Sequence, residues 1–184
     1  MYPVGKVPLL ITKEGKTIAE SDVIMRYLDE SKGPESLLAR WGEAEFKRAE
    51  TLASKLVASY YRILYTADFT EQDANLFREG CQEINDAIKG PYFLGNEISL
   101  ADFLLLAHLN RFEPVMARLD GIAPKDVRDV KPKDKNYEKW PRLGAFLETM
   151  RRQPFVESVR VPVHTQAKYA QTLRQGLPNP DLQD

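Results

Sequence analysis

The chain has 184 residues, of which 43% are hydrophobic and 29% charged, and its formal net charge is −1. This length predicts one to two domains with a sizeable core, and the near-neutral charge disfavours a nucleic-acid binder, which needs excess Lys and Arg to meet phosphates. The lone cysteine excludes an internal disulfide and is typical of a reducing compartment. We therefore expect a cytoplasmic protein without a membrane span, with an organelle stroma or matrix as the alternative.

A β-hairpin is predicted near the start of the chain. Leu9 to Ile11 form a continuous apolar run, which favours a strand covered on both faces. The polar segment 13–16 contains Gly15, which is able to adopt positive φ in a tight turn. Val7-Pro8 belongs to the first strand, and proline is confined to edge positions or strand starts, where a cis peptide bond is possible and leaves neighbouring main-chain groups available to a ligand.

A helix is predicted directly after the hairpin, beginning at Glu20-Ser21. Ser21 is expected to cap it, because a serine hydroxyl accepts a hydrogen bond from the first helical turn. The N–H groups exposed at such a helix start attract carboxylates. Helix capping alone and a ligand site are both consistent with this pair of residues, and the nearby Val7-Pro8 raises the weight of the ligand site.

The rest of the chain reads as helical. Apolar residues recur at helical spacing from Gly42, and a further helix is predicted to start at Thr70, with a buried stripe formed by Phe77, Cys81, Ile84 and Ile88. Ser99 and Asp102 form a capping box before a helix that is apolar all round and therefore buried. Pro141 suits the first position of another helix. The polar segment 121–139 between these helices is expected to be a solvated loop.

The hairpin residues resemble the glutathione site of the glutathione transferase N-terminal domain, which has a thioredoxin-like fold. The matching features are Lys6, Val7-Pro8 with a cis proline, Gly15, Glu20-Ser21 and Tyr27-Leu28-Asp29. The segments Phe93-Leu94-Gly95 and Ser99 to Asp102 are similar to the start of the central buried helix in the transferase C-terminal domain. Arg111-Phe112-Glu113 is most similar to the omega, lambda and dehydroascorbate-reductase-like branches.

The resemblance implies an α+β remnant followed by an all-α part. A partial thioredoxin-like module, a β-hairpin and a helix, is expected over residues 1–31, a transferase C-terminal helical bundle over 38–175, and an extended or disordered tail over 176–184. Glutathione is the implied co-substrate. The backbone of Val7, beside Pro8, would pair with its cysteinyl part, Glu20 and Ser21 would hold its γ-glutamyl end, and Lys6 would face its glycine carboxylate.

The catalytic residue is not assigned. In the family it lies at the end of a strand that precedes the matched segment, followed by a helix and a second strand, and residues 1–184 contain no match to that motif. Tyr2 lies in the wrong segment, and Cys81 is expected to be buried rather than reactive. The two unclustered histidines, His108 and His164, favour structural roles over a metal site.

A hairpin without neighbouring strands is only marginally stable and leaves an open edge. A segment upstream of residue 1, a partner strand or a rearranged N-terminus is therefore expected to cover it.

Two functions follow. The first is a glutathione-dependent transferase or thiol reductase whose nucleophile lies outside residues 1–184 and which acts on an apolar electrophile or a disulfide. The second is a non-catalytic transferase-fold subunit of a larger complex. A homodimer is implied by the resemblance. Aromatic side chains could line a pocket for the apolar substrate, although core packing is the favoured role for them: Trp41, Tyr60, Tyr61, Tyr65 and Trp140.

Overall fold

A computed structural model describes residues 7–128 and 135–182 of the chain. The chain divides into two compact units, Met1–Lys47 and Arg48–Asp184, and the division falls within one long helix. The predicted fold class, a hairpin and helix followed by a helical bundle, is confirmed. The predicted domain boundaries at residues 31, 38 and 175 stay a prediction.

The first unit contains the predicted hairpin. Strand β1 (Leu9–Ile11) pairs antiparallel with β2 (Thr17–Ala19), with Leu9 opposite Ala19. Gly15 adopts φ 79° in the connecting turn, as predicted. The hairpin leads directly into α1 (Ser21–Glu30), and a 3-10 turn (Gly33–Glu35) connects α1 to the short α2 (Leu37–Trp41).

Only one face of this hairpin is covered. Ile18 is 7% exposed and faces the side on which α1 contacts the two strands, whereas Ile11 on the opposite face is 66% exposed. Val7, just before β1, is 90% exposed. The expectation that this strand is covered on both faces is therefore wrong for the described residues, because two strands and one helix supply a cover for only one face.

Asp29 joins α1 to α2. Its carboxylate accepts hydrogen bonds from the Ser36 hydroxyl at 2.6 Å and from the amides of Leu37 and Leu38 at 2.9 and 2.8 Å. Burial alone would raise the pKa of Asp29, but these hydrogen bonds together lower it. Ser36 in turn caps α2 by accepting from the Ala39 amide. The carboxylate thus satisfies amides at the start of α2 that have no partner within the helix.

The second unit is all helical in the part that the structure describes. The long α3 (Glu43–Tyr65) starts in the first unit, and α4 (Glu71–Ala87) follows it. The later helices are α5 (Leu100–Leu109), α6 (Phe112–Leu119), α7 (Lys135–Glu138), α8 (Pro141–Arg151), α9 (Pro154–Glu157) and α10 (Val163–Arg174). The stripe predicted from Phe77 to Ile88 is buried, and Pro141 occupies the first turn of α8, as predicted. No described helix has the length and apolarity needed to cross a membrane.

Helix α5 is anchored at its start by Asp102. The carboxylate accepts from the amide and hydroxyl of Ser99 at 2.7 and 2.6 Å, and from the Phe93 amide at 2.6 Å. Burial raises the pKa of Asp102 in spite of these bonds. The predicted capping box is confirmed, and it also fixes the turn that precedes the helix.

A second buried carboxylate, Glu113, joins α6, α7 and α8. It forms a bidentate ion pair with Arg151 and accepts from the Tyr137 hydroxyl at 2.7 Å. Burial, and next the charge of Glu113, raise the pKa of Tyr137. Because Tyr137 and Val127 are both buried, the expectation of a solvated loop over 121–139 is wrong at these positions. Residues 129–134 of that segment lie outside the described residues.

The C-terminal end of α3 is capped by two arginines from later helices. Arg118 of α6 donates to the carbonyls of Ile63, Thr66 and Ala67, and Arg174 of α10 donates to the carbonyl of Leu64. Cations at this end of a helix satisfy its last carbonyls and interact favourably with its dipole.

Candidate functional site

The predicted site residues lie together at one end of the hairpin. Leu9 pairs with Ala19 at this end of the ladder, so Val7-Pro8, just before β1, and Glu20-Ser21, just after β2, flank the same end of the hairpin. All four residues are exposed. Lys6, the fifth predicted residue, lies outside the described residues.

Glu20 connects the hairpin to α1 through an unusual backbone conformation. Its φ of 68° with ψ of 129° is the single positive φ among the described non-glycine residues. Such a conformation is sterically unfavourable for an L-residue with a Cβ atom, and residues held this way cluster at functional sites. The backbone strain at Glu20 therefore marks this junction as a candidate site.

The prediction that Ser21 caps α1 is wrong. The helix begins at Ser21 itself, Glu20 occupies the N-cap position, and no side chain there makes a capping hydrogen bond. The left-handed turn at Glu20 brings Ser21 into the first helical position, where its hydroxyl no longer occupies the place of a cap. Within residues 7–128 and 135–182, neither the Glu20 carboxylate nor the Ser21 hydroxyl has a hydrogen-bond partner.

This junction has groups that suit an anion and a group that suits a cation. The first amides of α1 have no acceptor within the helix and, with the Ser21 hydroxyl, suit a carboxylate. The exposed Glu20 carboxylate suits an ammonium group. A ligand with an ammonium and a carboxylate on the same carbon, as at the end of an amino acid or a γ-glutamyl peptide, matches this arrangement.

Val7 adds main-chain groups to the same end of the hairpin. The ladder begins only at Leu9, and the Val7 main chain forms no hydrogen bond with other described residues. The Val7-Pro8 peptide bond is cis, in agreement with the sequence-based expectation. An extended peptide laid beside Val7 would find both a backbone donor and a backbone acceptor there.

Two residues of the helical unit that could serve as a nucleophile or a metal ligand, Cys81 and His108, have structural roles instead. Burial raises the pKa of the Cys81 thiol well above its usual range, and the side chain is fully buried on α4. The His108 Nδ1 lies 3.2 Å from the Tyr60 hydroxyl, and burial, with the charge of Arg111, lowers the pKa of His108. No group of three or more His, Cys, Asp or Glu among the described residues is arranged to hold a metal ion.

The helical unit contains a cavity that sequence reasoning did not locate. Its volume is about 630 Å³, and its walls come from α3, α5 and the turn after it, α9 and the segment after it, α10, and the C-terminal residues Pro180 and Leu182. Of the aromatic residues considered for a pocket, Tyr65 lines it, while Tyr60 and Trp140 are buried in the core. The cavity walls come from segments as far apart as Tyr65 and Leu182, which local periodicity does not relate to one another.

Two family models match the chain. Residues 1–31 match the glutathione S-transferase N-terminal domain, and residues 67–149 match the glutathione S-transferase C-terminal domain. The chain therefore belongs to the glutathione transferase superfamily.

Relatives within this family include proteins with different names. The chain is 31% identical over 133 residues to a probable elongation factor 1-gamma 2 of Arabidopsis thaliana, a match that covers 64% of this chain and 32% of the relative. It is 27% identical over 131 residues to the probable cytosolic glutathione S-transferase DHAR1 of Oryza sativa subsp. japonica, covering 70% of this chain and 59% of the relative. The chain thus spans only part of the length of these relatives.

Solved structures support the fold. A trimeric glutathione transferase of Leishmania, TDR1, superposes with a TM-score of 0.75 at 19% identity over 94% of this chain and 38% of that one. The omega 3C glutathione transferase of Trametes versicolor superposes with a TM-score of 0.62 at 20% identity over 89% of this chain and 68% of that one. At these identities the likeness defines the fold, and the predicted omega or lambda branch stays a prediction.

Proposed function

We propose that the chain binds glutathione at the Val7-Pro8 and Glu20-Ser21 junction and works as part of a glutathione-dependent transferase or thiol reductase. The observation that carries this proposal is the strained, exposed Glu20 at a helix start, at the end of the hairpin that Val7-Pro8 also flanks. Membership of the glutathione transferase superfamily supports the same ligand.

Each group has a separate role in binding. The Ser21 hydroxyl and the first amides of α1 hold the γ-glutamyl carboxylate, and the Glu20 carboxylate holds its ammonium group. The Val7 main chain aligns the cysteinyl part, and Lys6, which is outside the described residues, is the proposed partner of the glycine carboxylate. These groups bind and orient the thiol, while the catalytic thiol or hydroxyl comes from outside residues 1–184. Orientation of this kind contributes to catalysis by lowering the entropy cost of bringing reactants together.

Retention on immobilised glutathione, followed by calorimetric titration with glutathione, tests the proposal on the natural full-length protein. Glu20→Ala and Ser21→Ala are each expected to abolish retention, because each removes a group that pairs directly with the γ-glutamyl end. Matched controls are Glu30→Ala, an exposed glutamate at the other end of α1, and Ser54→Ala, whose hydroxyl only bonds the Thr51 carbonyl within α3. Both controls should bind glutathione as the unaltered protein does. Equal retention of all four variants would overturn the proposed site.

A second candidate function is that of a non-catalytic subunit in a larger complex. Two observations favour it: the similarity to the elongation factor 1-gamma relative, and the exposed apolar side chains of Val7 and Ile11 beside the outer edge of β1. An apolar, unpaired strand edge is a template for pairing with another chain. Light scattering on the natively purified protein, combined with its intact mass, distinguishes the two functions. A stoichiometric heteromeric assembly that fails to bind glutathione supports the second function and excludes the first.

A further inference from the structure

Two arginine side chains line a second, smaller cavity of the helical unit, Arg118 of α6 and Arg174 of α10. Their hydrogen bonds go to main-chain carbonyls at the end of α3. Arg118 donates to Thr66 and Ala67 at 2.9 and 2.8 Å. Arg174 donates to Leu64 at 2.5 Å. Among the described residues, no Asp or Glu forms an ion pair with either guanidinium group, so both positive charges are held in place by neutral acceptors.

The bonds to α3 leave most of the donors of Arg174 unused. A guanidinium group has five N–H donors in a planar fork. Arg174 donates from Nη1 alone, and its Nε and Nη2 have no hydrogen-bond partner in the part of the chain that the structure describes. Because the bond to Leu64 restrains the side chain, these remaining donors are preorganised for a further acceptor.

The surroundings of the two arginines disfavour their charges. Burial, and next the charge of Arg174, lower the pKa of Arg118, and burial lowers the pKa of Arg174 as well. The charge of Asp68 acts in the opposite direction on Arg118, but Asp68 is exposed and does not line the cavity. An anion beside Arg174 would offset the repulsion between the two guanidinium groups.

The rest of the cavity wall is apolar. Leu64, Ala117, Val127 and Ala167 are buried and line it, and none of the described lining residues is Asp or Glu. The attraction between an ion and a guanidinium group is stronger beside such a wall than in bulk water. The volume of about 40 Å³ exceeds the roughly 10–15 Å³ that one water molecule needs, so the cavity has room for a small ion.

We propose that this cavity binds one small monovalent inorganic anion, such as chloride, which pairs with Arg174 in the field of Arg118. A single negative charge matches the site, because the carbonyl end of α3 and Asp68 already offset part of the two positive charges. The ion binds the folded protein and therefore stabilises the contacts among α3, α6 and α10. This inference does not depend on glutathione binding, since all the residues involved belong to the second unit.

Thermal melting of the natural full-length protein tests the proposal, with sodium chloride compared with sodium gluconate at constant sodium concentration and pH. Gluconate carries the same charge as chloride but is far too large for the cavity. Replacing gluconate by chloride, up to about 200 mM, should raise the melting temperature by about 2–4 °C and then saturate. A shift of this size is expected for a ligand present at several times its dissociation constant.

Two arginine variants separate site binding from general salt effects. Arg174→Gln removes the unused donors and should abolish the chloride-dependent rise, whatever its melting temperature in gluconate. Arg142→Gln is the matched control, because Arg142 is an exposed arginine in the first turn of α8 that does not line the cavity. This control should keep the full rise. General effects of chloride on stability act on both variants alike, so the difference between them measures the site.

The line width of the chlorine NMR signal provides a second measurement that does not depend on melting. Exchange of chloride with a protein site broadens this signal. The unaltered protein and Arg142→Gln should broaden it equally, and Arg174→Gln should broaden it much less. If Arg174→Gln does not fold, competition decides: nitrate added to the unaltered protein should displace chloride and narrow the signal.

Three results would overturn the proposal: a melting temperature of the unaltered protein that is the same in chloride and gluconate, an equal rise in Arg174→Gln, or broadening that nitrate does not reverse. The first of these would leave water as the occupant of the cavity. Loss of glutathione retention with an intact chloride response would contradict the proposed function alone. Intact retention without a chloride response would contradict this inference alone.

Discussion

The hairpin junction and the core of the helical unit use their carboxylates in opposite ways. In the helical unit Asp102 and Glu113 are buried, and each is bonded to several donors from the protein itself. At the hairpin junction Glu20 is exposed, strained in its backbone and without a protein partner among the described residues. A carboxylate whose bonds are complete contributes to the fold, whereas a residue in a costly backbone conformation without such bonds is a candidate for ligand binding.

The largest effect is expected from the buried carboxylate that joins three helices. Glu113→Ala leaves Arg151 in a buried position without its ion-pair partner and removes the acceptor for Tyr137, so the free energy of unfolding should fall by about 3–5 kcal/mol. Urea unfolding followed by circular dichroism measures this. Glu148→Ala, which breaks the exposed pair with Arg152, is the control and should cost less than about 1 kcal/mol. Similar losses in the two variants would contradict the contrast between buried and exposed carboxylates.

An intermediate effect is expected at Asp29, where the hairpin unit uses a carboxylate structurally. Asp29→Asn weakens the bonds to Ser36, Leu37 and Leu38 and should lower the free energy of unfolding by about 1–2 kcal/mol at neutral pH. The pKa of Asp29 is lowered in the folded state, so the folded state binds fewer protons than the unfolded one near that pH. Its contribution is therefore complete above the ordinary carboxyl pKa of about 3.9 and disappears as pH falls through the lower, folded value.

The pH dependence of this difference provides the check. Urea titrations of the unaltered protein and of Asp29→Asn should give a constant stability difference between pH 6 and 8, and a shrinking one below about pH 4. A difference that grew on acidification would mean that the pKa of Asp29 is raised rather than lowered.

The smallest effect has the opposite sign. Glu20→Gly relieves the positive φ and should raise the free energy of unfolding by about 0.5–1 kcal/mol, while glutathione retention is lost. Glu20→Ala keeps a Cβ atom at the same φ and should show no such gain. Thermal melting and glutathione retention, measured on the same preparations, test both statements. If Glu20→Gly destabilised the protein, the Glu20 side chain would be shown to support the fold. The contrast between Glu20 and the buried carboxylates would then be contradicted.

Local sequence signals predicted much of the fold. The turn at Gly15, the helix starts at Thr70 and Ser99 and the proline at the start of α8 each depend on residues within a few positions of one another. The causes are equally local: glycine tolerates a positive φ, a capping residue and the residue three positions later bond each other, and proline lacks an amide proton that the first turn of a helix does not need. Such features are readable from one sequence because their causes are contiguous.

The features that the sequence did not reveal depend on distant residues or on backbone geometry. Tyr137 looked like part of a charged loop, because its acceptor Glu113 lies 24 positions earlier. Ser21 looked like a cap, because nothing in its neighbourhood indicates that Glu20 adopts a left-handed φ. The site residues were named from a family resemblance, and their roles in binding stay a prediction. The cavity beside Arg111 was missed because its walls come from segments that lie far apart in the sequence.

The arginines at the end of α3 set an order of events during synthesis. Carbonyls in the last turns of this helix receive their donors from Arg118 and, 110 positions after Leu64, from Arg174. While the ribosome is still making the intervening segments, those carbonyls have only water as a partner. The end of α3 therefore acquires its final bonds only after α10 has emerged, more than a hundred residues after the helix itself.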